Sequence, residues 1–301
     1  MTVYKAEIKG TFTDDFSGKA VVASVYSKAV NILLPSGLLI SIVRSKDELS
    51  ALSVLVPELF SADMAVSGLL KPGMDVNITT STISIGNIAI NFGNAQMWEG
   101  LIKPEGYKLE ARIRTLLEEA LIKYGKRGGL LGVIDSNSSL NIFEKKALDV
   151  LINALESISP VCASGSPFLY GISGLVGLGA GFTPSGDDFI SGAILGEELA
   201  EKTLSSVETE GNKVPSIDRM SIERTLKKTS YGGRTLLWQI LRNRFPFYMV
   251  KFAGSLLTDD PREITASVSR TVSYGETSGT DFLTGFLWYF KNVFHNDSSI
   301  V

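Results

Sequence analysis

GISGLVGLGAGFTPSGDDFISGAILG, the stretch Gly171–Gly196, places eight glycines in twenty-six residues. The run Gly177-x-Gly179-x-Gly181 leads into Thr183-Pro184-Ser185-Gly186-Asp187-Asp188 and then into an apolar segment. A backbone without side chains turns tightly and comes close to a ligand, so the glycines predict a loop whose N–H groups face a hollow. Pro184 sets the start of a following helix, with Thr183 or Ser185 placed to cap it. A loop of this kind at a helix N-terminus suits an anion.

The design recurs. Ser185-Gly186-Asp187-Asp188-Phe189-Ile190-Ser191-Gly192 aligns with Ser278-Gly279-Thr280-Asp281-Phe282-Leu283-Thr284-Gly285, identical at five positions of eight. Each copy opens a helix and has Ser-x-x-Asp spacing, which by itself describes a capping box and two well-capped buried helices. Capping does not require the glycine after each serine, nor the small residue and glycine that close each motif, so the doubled pattern points to a site as well. Asp187, Asp188 and Asp281 are its chemical side chains. No Lys or Arg lies between Lys146 and Lys202, so the positive charge for a bound anion has to come from another segment.

Composition sets the outer limits. The 301 residues are 44% hydrophobic and 20% charged, with a net charge of -3, a globular balance long enough for one large domain or two ordinary ones. There is no basic stripe or tail, which argues against nucleic acid as a partner. Cys162 and His295 are the single cysteine and histidine. They exclude a disulfide framework, a Cys/His zinc site and, unless His295 folds back, a histidine-based triad. Cys162 reads as a small buried residue. No cofactor is expected, and the one metal the carboxylates suit is a hard cation, Mg²⁺ first. The opening MTVYKAEIKGTF has no signal-peptide regions and no apolar run reaches the length of a membrane span, so the expected location is cytoplasmic.

Taken in order, the chain reads as α+β: a β-rich N-terminal domain over residues 1–103 and a mainly helical domain over residues 104–301 that carries the glycine-rich motif. Short β-branched runs at Ala20–Ser27, Asn31–Leu34, Leu38–Val43, Met74–Thr79 and Thr82–Ile90, with turns at Pro35-Ser36-Gly37 and Ile85-Gly86-Asn87-Ile88, predict a small sheet or partly closed barrel. A short helix is expected around Asp47 to Leu59. Beyond Pro104 the period becomes helical. Tyr107–Tyr124 aligns Leu109, Ile113, Leu116, Leu117, Ala120 and Leu121 and ends at Gly125 and Gly128-Gly129; Ile142–Ile158 is capped by Ser139 or Asn141. Further helices are expected from the loop to about Lys202, over Ser216–Thr229 up to a break at Gly232-Gly233, and over Arg234–Arg244, Pro261–Ser273 and Gly279–Val293.

An arginine fork suits a carboxylate or phosphate better than a lysine does. Arg224, Arg234, Arg242, Arg244 and Arg270 are candidates. Arg224 stands out with the hydroxyls of Thr225, Thr229 and Ser230 within two helical turns, and Arg234 follows the Gly232-Gly233 break; the sequence does not choose between them. Asp188 and Asp281, at equivalent repeat positions, can cap helices, orient an arginine, hold Mg²⁺ or accept hydrogen bonds from an amide-like substrate. Asp187 is paired with Thr280 in the repeat, and that asymmetry marks it as the ligand-facing member and Asp188 as the structural one.

At these residues the chain resembles a known family, the oxamate carbamoyltransferase subunit AllH proteins. Their hallmark Gly-Leu-Gly-x-Gly-x-Thr-Pro-Ser-Gly-Asp-Asp is matched without exception by Gly177 to Asp188. A later Ser-Gly-x-Asp matches Ser278-Gly279-Thr280-Asp281. An early Ser-Val-aromatic and Ala-Val-Asn match Ser24-Val25-Tyr26 and Ala29-Val30-Asn31, so the resemblance covers most of the chain. Where the family often has histidine, just before the early serine and just before the late motif, this chain has Ala23 and Glu276. Its chemistry cannot rest on histidine at either place.

The resemblance implies a cytoplasmic hetero-oligomer in which this subunit and two unlike partner subunits transfer a carbamoyl group between oxalurate and phosphate. The products are oxamate and carbamoyl phosphate, in the use of purine and allantoin nitrogen. Oxalurate, phosphate, carbamoyl phosphate and oxamate are small anions, in agreement with the loop. On this reading Gly179, Gly181, Thr183, Gly186, Ser278, Gly279, Arg224, Arg234 and, from the early motif, Asn31 bind substrate, while Ser185, Asp187, Asp188 and Asp281 serve the reacting centre. The alternative is a non-catalytic assembly subunit. Gly192 and Gly196, four apart on one helix face, and Gly285, equivalent to Gly192, would then pack against catalytic partner chains.

Overall fold

The computed structural model describes residues 1–61, 66–103, 106–107, 109–135, 139–158, 168–205, 214–258 and 260–293. The expectations for Cys162 and His295 lie outside them. The chain divides into two compact units, residues 1–102 with 242–250, and residues 103–241 with 251–301.

The first unit holds ten strands: β1 (Thr2–Lys5), β2 (Ile8–Gly10), β3 (Gly18–Val25), β4 (Ala29–Leu33), β5 (Leu39–Val43), β6 (Ser53–Leu55), β7 (Asp75–Ile78), β8 (Thr82–Ile85), β9 (Ile88–Asn91) and β10 (Gln96–Trp98), with a one-turn helix α1 (Val66–Leu69) between β6 and β7. They form one sheet in the order β1-β9-β8-β7-β3-β4-β5-β6-β2-β10. Only Ala6 and Glu7 separate β1 from β2, yet β1 stands at one end of that order and β2 next to the other, beside β10. The Ala6 N–H donates to the Asn91 carbonyl and the Glu7 N–H to the Leu55 carbonyl, both at 2.9 Å. One short strip of chain thus reaches from the β1 end to the last strand but one at the other, and the sheet curls into a half-barrel. Its interior is apolar: Ile32, Ile40, Ile42, Val54, Ile83, Ile90 and Phe92 are fully buried, as alternation along paired strands requires.

Gly37 and Gly86, with φ of +81° and +54°, make the two turns expected of them. The helix expected around Asp47 to Leu59 is absent. In its place lie a 3-10 turn at Lys46–Glu48, β6, and a second 3-10 turn at Pro57–Phe60. The apolar run Ala51 to Val56 fits either period. Pairing of β6 parallel to β5 and antiparallel to β2 decides in favour of the strand, and Pro57, which has no N–H, ends it.

Among the described residues the second unit has eight helices: α2 (Ala111–Tyr124), α3 (Ile142–Glu156), α4 (Ser185–Ser205), α5 (Arg219–Thr225), α6 (Tyr231–Ile240), α7 (Phe247–Ser255, begun in the first unit), α8 (Pro261–Val272) and α9 (Ser278–Asn292). A two-residue parallel pair, β11 (Phe168–Leu169) with β12 (Ser216–Ile217), completes it. Asn141, not Ser139, caps α3, in a reciprocal box with Glu144. The Gly232-Gly233 break does not occur, since α6 begins at Tyr231, capped by Ser230, and runs through both glycines. Helix α7 was not foreseen.

Helices α4 and α9 form the centre of this unit. Phe189, Ile190, Ala193, Ile194 and Leu195 on one, and Phe282, Phe286, Tyr289 and Phe290 on the other, are at most 1% exposed, the all-round apolar pattern of a core helix. A Cβ at Gly192 would meet the Phe282 carbonyl, and a Cβ at Gly285 the carbonyl of Phe189. Gly192 and Gly285 are equivalent in the repeat, and so are Phe189 and Phe282, so the two copies pack against each other reciprocally. Among the described residues no helix is long and apolar enough to cross a membrane.

Candidate functional site

The path of the loop ahead of α4 depends on glycine. Gly177, Gly179 and Gly181 have φ of +76°, +107° and +109°, a region that L side chains seldom enter. Leu178 closes the loop by accepting from the Gly186 N–H at 2.8 Å and donating to the Leu175 carbonyl at 2.9 Å. The Ser230 hydroxyl holds the Phe182 carbonyl at 2.6 Å. The N–H groups of Gly179, Ala180, Gly181 and Thr183 make no hydrogen bond among the described residues, and these four residues are exposed or half-exposed. They are a set of backbone donors at a helix start with no acceptor among the described residues.

Two capping boxes do not form. Ser185 and Ser278 are the first residues of their helices, and Thr277, the N-cap of α9, makes no side-chain cap bond. The serines instead cross between the copies: the Ser278 hydroxyl supports the Asp188 carboxyl and the Ser185 hydroxyl supports that of Asp281. Thr183, expected as a cap, donates to Asp188 Oδ2 at 3.1 Å and lies 3.1 Å from Ser278 Oγ.

The three aspartates are 0, 1 and 0% exposed for Asp187, Asp188 and Asp281. Asp187 accepts the Gly177 N–H at 2.8 Å on Oδ1 and a short bond from the Thr229 hydroxyl on Oδ2, which ties the loop to the start of α6. A side chain at Gly233 would strike that carboxylate, which explains a glycine there. Burial pushes Asp187 up to about 6 against the lowering effect of Thr229 and Gly177. Burial likewise raises Asp281 to about 6, opposed by the N–H of Leu130 at 2.6 Å and by the Ser185 hydroxyl. Asp188 is raised well above the usual carboxylate range, by burial first and then by the charge of Asp281. Asp188 Oδ1 and Asp281 Oδ2 have no hydrogen-bond partner.

Two family models match this chain: the AllH family N-terminal domain over residues 4–97 and oxamate carbamoyltransferase subunit AllH over residues 175–290. The chain belongs to the AllH family. The second match begins two residues before the glycine loop and ends two residues before the end of α9, so it spans both copies of the repeat. Comparison with curated proteins and with solved structures gave no match. By its family this is a subunit of an oxamate carbamoyltransferase.

The AllH chain brings Gly179, Gly181, Thr183, Ser185, Gly186, Asp187, Asp188, Ser278, Gly279 and Asp281 together around the starts of α4 and α9. Gly279 packs on the Thr271 carbonyl and Gly186 on that of Leu175. The arginines stand differently. Arg224 is exposed on α5. Arg234, on the first turns of α6, directs Nε to the Leu226 carbonyl at 3.1 Å and stacks over Tyr231. Asn31 belongs to the first unit. It is 3% exposed, donates to Ser24 Oγ at 2.9 Å and accepts from the Ser41 hydroxyl at 2.7 Å, across β3, β4 and β5.

One segment escaped the sequence reading. Lys126 to Leu130, treated only as the end of α2, wraps the second copy: the Lys126 N–H reaches Thr280 Oγ1 at 3.0 Å, its Nζ donates to the Gly275 carbonyl at 2.6 Å, and Gly129 admits the Asp281 carboxylate. The signal was present as Lys126-Arg127 beside Gly128-Gly129, a cationic pair next to a backbone bare of side chains. Lys126 brings a cation to the turn ahead of α9. No group of three or more His, Cys, Asp or Glu that could hold a metal occurs among the described residues.

Proposed function

We propose that this AllH subunit supplies at least part of the active site of a cytoplasmic carbamoyltransferase complex, at which phosphate takes the carbamoyl group of oxalurate and releases oxamate, in the use of purine and allantoin nitrogen. The supporting observation is the row of unsatisfied N–H groups at Gly179, Ala180, Gly181 and Thr183, placed before α4 and joined through Thr183 to the start of α9. Such donors suit both the substrate anions and the oxyanion that develops as phosphate attacks the carbamoyl carbon, and one donor of this kind is worth about 3 kcal/mol of barrier. Phosphate is already an anionic nucleophile, so a histidine base is unnecessary. Lys126, bonded at Gly275, adds positive charge. The carboxyls of Asp188 and Asp281 are acceptors for a carbamoyl NH₂.

The competing reading is an assembly subunit without catalytic residues. It loses the contact first expected to carry it, because Gly192 and Gly285 are spent on each other's helices and Gly196 on Tyr289. Calorimetric titration of the chain, alone and assembled with its partner subunits, with phosphate, carbamoyl phosphate, oxamate and oxalurate separates the two readings. Saturable binding that Gly181→Ala weakens supports a site at the loop. A complex that binds and turns over normally with Gly181→Ala refutes it.

A further inference from the structure

The repeat buries two carboxyl groups at equivalent places, Asp188 on α4 and Asp281 on α9. Among the described residues neither has a lysine or arginine against it, and each keeps one oxygen without a partner. The other charged groups acting on them are also acidic: Asp187 acts on Asp188, and Glu144 of α3 on Asp281. Two anions enclosed in this way cannot both persist at low cost, because each lacks a compensating charge. A single proton removes the repulsion. Asp281 has the better claim to be the anion, since it accepts the buried Leu130 N–H at 2.6 Å, a group that can only donate, whereas Asp188 faces hydroxyls, which can also accept. The proton therefore belongs to Asp188.

The neutral acid is not isolated. Its Oδ2 lies 3.1 Å from Thr183 Oγ1, and Thr183 Oγ1 lies 3.1 Å from Ser278 Oγ. Asp188 is fully buried, whereas Thr183 and Ser278 are both half-exposed. The three groups run from the core toward the surface at the starts of α4 and α9. Hydroxyl groups both donate and accept and can rotate, so such a row conducts a proton in either direction.

We propose that Asp188, Thr183 and Ser278 form a proton relay in which Asp188 stores one proton and Ser278 exchanges it with the bound substrate. The catalytic half of this inference rests on the carbamoyl-transfer reading. There, a phosphate oxygen forms a bond to the carbamoyl carbon while the bond from that carbon to the oxamate nitrogen breaks. The nitrogen takes the relay's proton from Ser278, Thr183 resupplies Ser278, and Asp188 becomes a carboxylate. Monohydrogen phosphate must shed its own proton to become carbamoyl phosphate, and that proton returns along the same row to Asp188. Atoms and charge balance with no other reactant. The acid acts as a neutral donor kept ready in a closed site.

The stored proton is tested without substrate. Infrared difference spectra of the full chain at neutral pH, native against Asp188→Asn, should show a protonated carboxyl band that shifts in D₂O and is missing in the variant. Absence of the band overturns the inference. The conducting row is tested in the assembled complex. Thr183→Val should lower kcat at least tenfold with KM nearly unchanged and lose the solvent isotope effect, and Thr183→Ser should restore both. A Thr183→Val complex with native kcat overturns the relay. If the native complex fails to turn over oxalurate, the carbamoyl-transfer reading fails instead, and the infrared result still decides whether Asp188 stores the proton.

Discussion

Gly192→Ala tests the reciprocal crossing of α4 and α9. The added Cβ would lie 1.8 Å from the Phe282 carbonyl oxygen and 2.8 Å from the Phe286 nitrogen. A carbon and a carbonyl oxygen rest at about 3.3 Å or more, so the helices must part locally by about 1.5 Å. The obstacle is backbone in the middle of a fully buried helix, not the end of a flexible side chain, so the upper part of the overpacking range applies, about 3 kcal/mol. Replacing a helical glycine by alanine returns about 0.5–1 kcal/mol. The net loss is about 2 kcal/mol, a fall in Tm of about 4–8 °C for a unit of this size. Scanning calorimetry of the chain is the assay. Gly254→Ala in α7, where nothing lies within 4 Å, is the control and should not destabilise. Gly285→Ala should behave like Gly192→Ala, its Cβ falling 1.9 Å from the Phe189 carbonyl. The double variant should cost less than the sum, since separation forced by one methyl makes room for the other. If Gly192→Ala melts with the parent chain, the close crossing and its symmetry are wrong.

Three further outcomes follow from the buried acids. Thr229→Val, which leaves an oxygen of Asp187 unsatisfied in the core, should cost about 1–3 kcal/mol in urea unfolding, and an unchanged midpoint would show that the bond carries nothing. Asp187 and Asp281 are each raised to about 6 in the fold. Each therefore contributes stability that is fully present below the unfolded carboxylate value near 4 and is lost as pH rises through about 6. Asp187→Asn should thus be closer to the native chain in stability at pH 7 than at pH 4, and a gap independent of pH would contradict the shift. Glu197, 2% exposed, accepts from the Ile217 N–H at 2.8 Å and from Arg219 at 2.9 Å. Burial raises Glu197 to about 7 even beside Arg219, so Arg219→Ala lets it take up a proton and should cost about 1–3 kcal/mol in chemical denaturation at neutral pH, with Arg219→Lys recovering part of that.

The readable parts of this chain were those where one local rule applied. The β4–β5 and β8–β9 hairpins follow from Gly37 and Gly86 at turns between β-branched runs, and α2, α3, α8 and α9 follow from apolar spacing. The ambiguous parts were settled by partners distant in sequence. Ala51 to Val56 became a strand because β5 and β2 lie on either side of it. Gly232 and Gly233, helix breakers by propensity, stay helical because the Phe182 carbonyl and the Asp187 carboxylate need their space. At the site, the doubled Ser-x-x-Asp motif points to a site from sequence alone, although its spacing by itself describes two separate caps. That each serine serves the aspartate of the other helix is a property of the pair, and no single segment displays it. The same holds for Lys126, whose bond to Gly275 spans 149 positions.

The strip of chain from Arg242 to Val250 belongs by its contacts to the first unit. The Phe245 N–H donates to the Gly100 carbonyl at 2.8 Å and that of Phe247 to Leu49 at 2.9 Å, while the Phe247 ring lies 5.3 Å from that of Trp98. Phe247 and Trp98 cover the cluster of Ile8, Val43, Leu49 and Leu55. During synthesis the half-barrel therefore lacks the Phe247 part of its cover until the ribosome has added about 150 more residues, roughly eight to thirty seconds at ordinary elongation rates. Over that interval the nascent sheet carries an apolar patch that a chaperone can recognise. A fragment cut after residue 103 would carry it permanently, and would be expected to associate with itself where the whole chain does not.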